Sequence, residues 1–283
     1  MTDAQQIASE PWDIGTGVRG YHWRAPEARA ALLLQHGYAE YAERYIERYN
    51  RLIPHLLGIG LDVYAFDMRG HGRSAGPRCV TDLGEAVEHH LTARRKLASA
   101  GPVFLFGHSL GGLITAASVA RDQEGVAAVV LSSPALHVKS NAVDRGLART
   151  LVAVAPGIGV KPPTDPKGLS HLSEQVRLFA TDPMIYQGWV PARLGATLLA
   201  VAGYGWKRYT EWRAPTYIIH GTADTITDPE GSRRFAAMIR SADKRLDLIE
   251  GGYHELLNDT ERDTVLEGIL AWLRDRLLTR AAQ

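Results

Sequence analysis

The stretch from Gly101 to Ile114 constrains the fold of this chain more than any other. Residues Val103–Phe106 form a short apolar run of the length typical of a buried strand. A G-x-S-x-G pentapeptide follows at 107–111, with Ser109 at its centre, and the next residues, 113–120, are small and apolar, as expected of a packed helix. A strand, a tight turn and a helix in this order hold a serine on a sharp bend with its hydroxyl exposed. Ser109 is therefore the candidate nucleophile.

The other residues of the pentapeptide fit this role. Gly107 and Gly111 lack a Cβ, which relieves the crowding that such a bend creates two residues before and after the serine. The helix starts directly after Ser109, so its first N–H groups have no intrahelical acceptor. We therefore expect the N–H of Leu110 to stabilise an oxyanion. The alternative is an ordinary serine in a glycine-containing turn, since the pentapeptide alone also occurs by chance.

Composition restricts the function classes. The 283 residues are 45% hydrophobic and 22% charged, which is ordinary for a globular protein, and the length suffices for one large domain or for one domain with an insertion. The net charge of +1, without a basic patch or tail, argues against nucleic-acid binding. One cysteine, Cys79, excludes an intrachain disulfide and a cysteine-based metal site. Residues 1–11 lack the features of a signal peptide, and no apolar run reaches the length of a membrane span. We expect a cytoplasmic protein.

Short apolar runs alternate with helical patterns along most of the chain. Strands are expected at 15–24 (as an edge strand), 30–34, 61–66, 103–106, 126–131, 215–220 and 245–249. Helices are expected at 41–57 with a kink at Pro54, at 81–98 with Thr81 as cap, and at 113–120, 232–239 and 260–278. This alternation predicts an α/β protein with a mostly parallel sheet covered by helices on both faces.

The alternation stops between Pro134 and Trp212. The segment is too long for a loop, and we expect an inserted helical cap over the carboxyl edge of the sheet. The predicted division is a core at 1–133 and 213–283 and a cap at 134–212. Apolar cap residues would line the substrate site, and the candidates are Leu151, Val154, Ile158, Met184, Ile185, Leu198 and Leu199. The alternative for each is packing of the cap onto the core. An exposed apolar cap face would also make transient contact with a membrane surface.

A nucleophilic serine needs a base, and the base needs an orienting acid. After this kind of turn the acid and then the histidine follow in the chain, each on a loop after a strand. Asp224 and His254 stand at such places. The alternatives are a turn or cap role for Asp224 and a structural role for His254. Asp228, directly before Pro229, is the better candidate for the helix cap.

With these residues in view, the chain resembles the monoacylglycerol lipase and lysophospholipase group of the α/β-hydrolase superfamily over nearly its whole length. The matching motifs are His36–Glu40 with Arg44–Tyr45, Asp67–Gly76 (D-x-R-G-H-G-x-S-x-G), Gly107–Gly112, Thr181–Gly188 (containing D-P-x-x-Y-x-G), His220–Asp224 and Tyr253–Asp259. The serine and histidine-glycine motifs are widespread in the superfamily. The cap element and the Tyr-His-Glu run are more specific, and they favour monoacylglycerol lipase.

The resemblance implies an α/β-hydrolase fold with a lid and a serine hydrolase mechanism. Ser109 would be the nucleophile, His254 the base and Asp224 the acid, with an oxyanion hole made of the N–H groups of Tyr38 and Leu110. The implied reaction is hydrolysis of a monoacylglycerol, a small amphiphilic ester, through an acyl-enzyme, without a metal or organic cofactor. Tyr38 is bulky where the family often has a small residue, which bears on substrate preference.

Three other interpretations stay open at this point. The first is a general carboxylesterase or lysophospholipase with the same three residues. The second is other chemistry on the same scaffold, such as cofactor-free haloperoxidation or acyl transfer to an alcohol. The third is a non-catalytic binding module, against which the complete set of Ser109, Asp224 and His254 argues.

Overall fold

The computed structural model describes residues 7–137, 152 and 154–281. The strands in this part of the chain are β1 (Glu10–Pro11), β2 (Gly20–Trp23), β3 (Ala30–Gln35), β4 (Leu61–Phe66), β5 (Val103–His108), β6 (Val126–Ser132), β7 (Gly159–Lys161), β8 (Val190–Pro191), β9 (Thr216–Gly221) and β10 (Lys244–Ile249). The α-helices are α1 (Arg44–Glu47), α2 (Leu52–Gly58), α3 (Leu83–Ala98), α4 (Leu110–Arg121), α5 (Ser173–Thr181), α6 (Ala192–Trp206), α7 (Pro229–Met238) and α8 (Arg262–Ala281).

The central sheet of the described residues has eight strands in the order β1-β2-β4-β3-β5-β6-β9-β10. From β4 to β10 every neighbouring pair is parallel, whereas β1 and β2 run antiparallel. The predicted α/β-hydrolase fold with a mostly parallel sheet is thus confirmed. The expected edge strand at 15–24 shortens to β2, and the edge itself is the two-residue strand β1.

Helices cover both faces of this sheet, which explains why its central strands are apolar throughout. In β3, Leu32 and Leu34 pack into one buried cluster and Leu33 into the other, because successive side chains point to opposite faces. The first cluster contains apolar residues of α2 and α8, and the second those of α3, α4 and α7. The core therefore consists of two layers separated by the sheet.

The helix expected at 41–57 was wrong as a single element. It is divided into α1, a 3₁₀ turn at Tyr49–Arg51 and α2. The break lies at the turn rather than at Pro54, since Tyr49, Asn50 and Arg51 all have positive φ. The Tyr49 N–H donates to the side-chain oxygen of Asn258 at 2.5 Å, a contact across 209 residues. A distant loop therefore bends the chain here.

Two helix starts were tested by the structure. Helix α3 is capped by Asp82, whose carboxylate accepts the N–H groups of Gly84 and Glu85, so the expected cap at Thr81 was wrong by one residue. Helix α7 begins at Pro229 and is capped by Asp228, as predicted.

Part of the segment between β6 and β9 contacts the loops at the carboxyl edge of the sheet, since the Tyr186 N–H donates to the Ala39 carbonyl at 3.0 Å and the Leu169 carbonyl accepts the Glu255 N–H at 2.8 Å. The described residues of this segment include the small antiparallel pair β7–β8 and the helices α5 and α6. Two hydrogen bonds hold helix α6: Thr197 Oγ1 accepts the N–H of Leu83 in α3 at 3.1 Å, and the Trp206 indole donates to the carbonyl of Leu136, which follows β6, at 2.8 Å. The cap limits at 134 and 212 stay a prediction. No helix within residues 7–137, 152 and 154–281 is both long and apolar enough to cross a membrane.

Candidate active site

Ser109 stands on a strained bend between β5 and α4. Its φ of 53° and ψ of −119° are outside the regions that non-glycine residues ordinarily occupy. Its N–H donates to the Ser132 carbonyl at 2.9 Å, which ties the bend to β6. A Cβ on Gly111 would overlap the backbone carbonyls of Gln35 and His36, and one on Gly107 would lie 2.6 Å from Thr115 Oγ1. Close packing of backbone segments thus explains both glycines of the pentapeptide.

The structure brings Ser109, His254 and Asp224 together at the carboxyl edge of the sheet. Ser109 Oγ lies 2.9 Å from His254 Nε2, and His254 Nδ1 lies 2.7 Å from Asp224 Oδ2. All three are buried, with exposed fractions of 8%, 3% and 8% respectively. The parallel strands β5, β9 and β10 end at one edge of the sheet, so the loops that follow them meet there. This chain of hydrogen bonds can move a proton from the serine to the imidazole.

Asp224 is held in one orientation by its own loop. Its Oδ1 accepts the backbone N–H groups of Ile226 and Thr227 at 2.8 and 3.0 Å. Its Oδ2 lies 3.1 Å from His220 Nε2, and His220 Nδ1 lies 2.7 Å from Ser232 Oγ. Burial raises the pKa of Asp224, but the charge of His254 and these hydrogen bonds outweigh it and hold the pKa well below its usual range. Asp224 is therefore an ionised carboxylate.

The electrostatics of His254 favour a proton-accepting ring. Burial lowers its pKa, whereas the Asp224 carboxylate raises it through charge and hydrogen bonding, and Glu255 and Glu40 add to the rise. The net pKa is raised. His108 lines the same site with its ring centroid 5.0 Å from that of His254, and burial lowers its pKa to about 4. His108 is thus neutral beside the His254 ring.

The loop 36–40 lies directly against the serine. A Cβ on Gly37 would lie 3.2 Å from Ser109 Cβ. His36 fixes this loop, because its Nε2 accepts the Met68 N–H at 3.1 Å and its Nδ1 donates to the Gly37 carbonyl at 2.8 Å. In the described part of the chain neither the Tyr38 N–H nor the Leu110 N–H donates to a protein acceptor. Two free N–H groups flanking a nucleophile suit an oxyanion.

A cavity opens at these residues between the sheet and the cap. Its apolar walls come from Tyr38, Leu169, Phe179, Tyr186 and Ile226. Leu169, Phe179 and Tyr186 lie in the segment predicted to be the cap and were not singled out from the sequence as lining residues. Tyr186 lies within the Thr181–Gly188 motif, which was the available signal. The spacing of apolar residues gave no comparable indication for the other two.

The predicted substrate-binding residues do not line this cavity where they are described. Leu151 lies outside the described residues. Val154 and Ile158 are exposed, at 79% and 49%. Ile185 belongs to the buried cluster that contains Leu169 and Phe179, and Met184 directly precedes it in the chain. Leu198 packs onto a core cluster, and Leu199 follows it in α6. Their contact with substrate stays a prediction. The described residues contain no group of three or more histidine, cysteine or acidic side chains that could hold a metal.

Comparison with known proteins gives a consistent result. Residues 26–261 match the family described as "Serine aminopeptidase, S33". A monoacylglycerol lipase of Mycolicibacterium smegmatis is 35% identical over 257 residues, covering 89% of this chain and 90% of that protein. Human monoglyceride lipase is 30% identical, covering 89% and 84%. The crystal structure of the Paleococcus ferrophilus monoacylglycerol lipase has a TM-score of 0.83 and 33% identity, covering 92% of this chain and 99% of that chain.

Proposed function

This chain belongs to the monoacylglycerol lipase group of the α/β-hydrolase superfamily, and from that premise we propose that it hydrolyses monoacylglycerols to fatty acid and glycerol, with Ser109 as nucleophile. The observation that carries the proposal is the hydrogen-bond chain from Ser109 Oγ through His254 to Asp224 at the floor of a largely apolar cavity. Relatives named as monoacylglycerol lipases supply the substrate class.

In the proposed mechanism, His254 Nε2 takes the Ser109 proton while Oγ attacks the ester carbonyl. Asp224 stabilises the imidazolium that forms. The Tyr38 and Leu110 N–H groups bind the developing oxyanion, a contribution of roughly 3–4 kcal/mol for an essential donor. The imidazolium then protonates the departing glycerol oxygen, leaving an acyl-enzyme. Water, deprotonated by His254, then attacks the acyl carbon, and His254 returns the proton to Ser109 Oγ as the fatty acid leaves.

The cavity walls favour an ester with an apolar acyl group over a peptide with a free amino terminus. Of the described residues that line the cavity, the carboxylates are Glu40 and Glu255. Both form ion pairs with the buried Arg44, at 2.8 Å each. Neither is available to bind an ammonium group, whereas Leu169, Phe179 and Ile226 offer apolar contact to an acyl chain.

A second part of the proposal is that the enzyme is cytoplasmic and touches a membrane transiently to collect substrate, and the exposed surface around β7 and β8 supports the membrane contact. Trp189, Ile158 and Val160 are exposed on the β7–β8 region, with Trp189 at 54%. Tryptophan and aliphatic side chains of this kind favour the bilayer interface. Vesicle flotation tests this, with Trp189→Ser expected to reduce binding and the equally exposed Leu278→Ser, on α8, as the matched control. Equal binding of both variants and the wild type would contradict it.

Hydrolysis of a monoacylglycerol series tests the function directly. The series would run from medium to long chain, beside the matching diacylglycerol, triacylglycerol, lysophosphatidylcholine and p-nitrophenyl ester. We expect the highest kcat/KM for monoacylglycerols and loss of turnover on all substrates in Ser109→Ala, whose fold is checked by circular dichroism. A preference for lysophosphatidylcholine, or activity on p-nitrophenyl esters alone, would reassign the substrate. Near wild-type activity in Ser109→Ala would remove the assigned nucleophile.

A further inference from the structure

A buried ion cluster that the mechanism above does not use lies at the wall of the catalytic cavity, which two of its members, Glu40 and Glu255, line. It consists of Glu40, Arg44 and Glu255, each at most 4% exposed. Arg44 Nη1 donates to Glu40 Oε2 and to Glu255 Oε1, both at 2.8 Å. Arg44 Nη2 donates to Glu255 Oε2 at 3.2 Å, which makes the pairing with Glu255 bidentate.

Neighbouring side chains complete the hydrogen bonds of the ion cluster. The Tyr45 hydroxyl donates to Glu40 Oε1 at 2.8 Å. The Tyr49 hydroxyl lies 2.9 Å from Glu40 Oε2 and 3.0 Å from Glu255 Oε1. The Asn258 amide donates to Glu255 Oε2 at 2.6 Å. All four carboxylate oxygens therefore have partners, as a buried charged network requires if it is to be stable.

The ion cluster joins the two loops that carry the catalytic groups. Glu40 Oε1 also accepts the Gly37 N–H at 2.6 Å, and Gly37 is bonded directly to Tyr38, the proposed oxyanion donor. Glu255 directly follows His254, the proposed base. The Arg44–Glu255 pair spans 211 residues. One guanidinium thus connects the backbone beside the oxyanion hole to the backbone beside the base.

Stability alone gives little reason for charges at this place. Burying an ion pair costs desolvation energy, and well-packed apolar residues of similar size often stabilise a fold equally well. Bidentate pairs differ from apolar contacts in fixing direction and distance. Each loop also has hydrogen bonds of its own, such as that of His36 to the Gly37 carbonyl and that of the Glu255 N–H to the Leu169 carbonyl, whereas Arg44 links one loop to the other.

We propose that Glu40, Arg44 and Glu255 are positioning residues, which hold the Tyr38 N–H and the His254 imidazole in the relative placement that the tetrahedral intermediate requires. The inference rests on the proposed function, since it assumes that Ser109 attacks and His254 accepts the proton. None of the three residues supplies a reacting atom. Their effect is on the transition state, where a displacement of about 1 Å can cost a hundredfold in rate.

Four variants test the proposal at graded severity. Glu40→Gln and Glu255→Gln keep the side-chain shape but place an NH₂ group among donors. Arg44→Lys keeps the positive charge but loses the planar guanidinium that pairs with a carboxylate through two hydrogen bonds. Tyr45→Phe removes one hydroxyl from Glu40 and is the variant least able to disturb folding. Matched controls are Tyr217→Phe, which removes a hydroxyl bound to Asp247 near the start of β9, and Arg94→Lys, which changes a buried arginine bound to backbone carbonyls.

The readouts separate positioning from a purely structural role. Each variant is assayed for kcat, KM, thermal unfolding and two inhibition constants. An alkyl boronic acid, which adds to the serine, mimics the tetrahedral intermediate, whereas a fatty acid mimics the ground state. We expect the glutamine variants to lose about 10–100-fold in kcat with little change in KM. Tyr45→Phe should lose about threefold to tenfold in kcat, as expected for the removal of one hydrogen bond. The loss in kcat for Arg44→Lys should lie between that of Tyr45→Phe and that of the glutamine variants. Boronate affinity should fall in parallel with kcat/KM, while fatty-acid affinity stays constant.

Each outcome decides the proposal. Wild-type kcat in folded glutamine variants would overturn it, as would equal losses in boronate and fatty-acid affinity. If a glutamine variant does not fold, Tyr45→Phe decides: unchanged kcat and boronate affinity would overturn the proposal. The controls should keep wild-type kinetics. Activity in Ser109→Ala would instead reject the proposed function, which makes the two failures distinguishable.

Discussion

Oδ2 of Asp224 lies 2.7 Å from Nδ1 of His254, while Oδ1 of the same carboxylate accepts two backbone N–H groups. The two oxygens therefore have different tasks. Oδ1 is fixed by the Ile226 and Thr227 N–H donors, so Oδ2 must face the histidine. This arrangement keeps the proton of His254 on Nδ1 and leaves Nε2 as the acceptor for Ser109.

The first prediction concerns Asp224→Asn. The amide oxygen must take the Oδ1 position to accept the two backbone N–H groups, so the NH₂ group faces His254 Nδ1. The histidine then carries its proton on Nε2 and cannot accept one from Ser109. We expect kcat to fall by about 10³–10⁴-fold with little change in KM. Steady-state kinetics measure this, with Asp247→Asn on β10 as a matched control. A loss of less than tenfold would contradict the assigned role.

The second prediction is the pH dependence of kcat/KM. His254 acts as a base only when neutral, and its pKa is raised above the usual 6.5. Activity should therefore rise with pH through a midpoint above 6.5 and be lost as pH falls below it. The charged groups facing the ring are Asp224 from the β9 loop, Glu255 from its own loop and Glu40 from the oxyanion loop, while His108 from β5 is neutral.

An ester assay between about pH 5 and 9 measures this profile. Intrinsic fluorescence at each pH excludes unfolding as the cause of lost activity. A midpoint at or below 6.5 in the folded enzyme would mean that burial of His254 outweighs its carboxylate neighbours.

The third prediction concerns the close packing beneath the nucleophile. A Cβ on Gly111 would overlap the carbonyl oxygens of Gln35 and His36, which are parts of the fixed backbone. Gly111→Ala should lower the free energy of unfolding by about 1–3 kcal/mol, as overpacking does. Gly203→Ala is the matched control, because Gly203 lies in α6 with open space around its Cβ position. Thermal unfolding compares them, and equal melting temperatures would contradict the overlap.

The meeting of the three proposed catalytic residues could be predicted from sequence because each stands at a defined point of a repeating pattern. Ser109, Asp224 and His254 each stand on the loop after a strand, and parallel strands end at one edge of the sheet. The order of the strands was not needed for this inference. Gly107 and Gly111 in addition predicted the sharp bend of the backbone at Ser109.

Features that depend on distant contacts were not predictable in this way. The break between α1 and α2 follows from the bond between Tyr49 and Asn258, residues that no local pattern connects. The same holds for the cavity wall. Phe179 is recognisable as an apolar residue from the sequence, but a local pattern does not show which residues it contacts in the fold. Arg44 and Glu255 both lay within motifs of the resemblance, yet only the structure joins them.

The last prediction concerns the departure at Tyr38. Its side chain lines the cavity, with its ring centroid 6.4 Å from that of Tyr186 and 6.0 Å from that of His71. Only its backbone N–H serves the proposed oxyanion hole, so Tyr38→Ala removes bulk without removing the donor. We expect turnover of short-chain monoacylglycerols to persist, while the ratio of kcat/KM for long over short chains rises by about tenfold, as for one or two accommodated methylenes. Tyr38→Phe is the matched control, since it removes the hydroxyl and keeps the ring. An unchanged ratio in Tyr38→Ala would show that the ring does not limit the length of the acyl chain. An equal change of the ratio in both variants would show that the hydroxyl, and not the bulk of the ring, sets the preference.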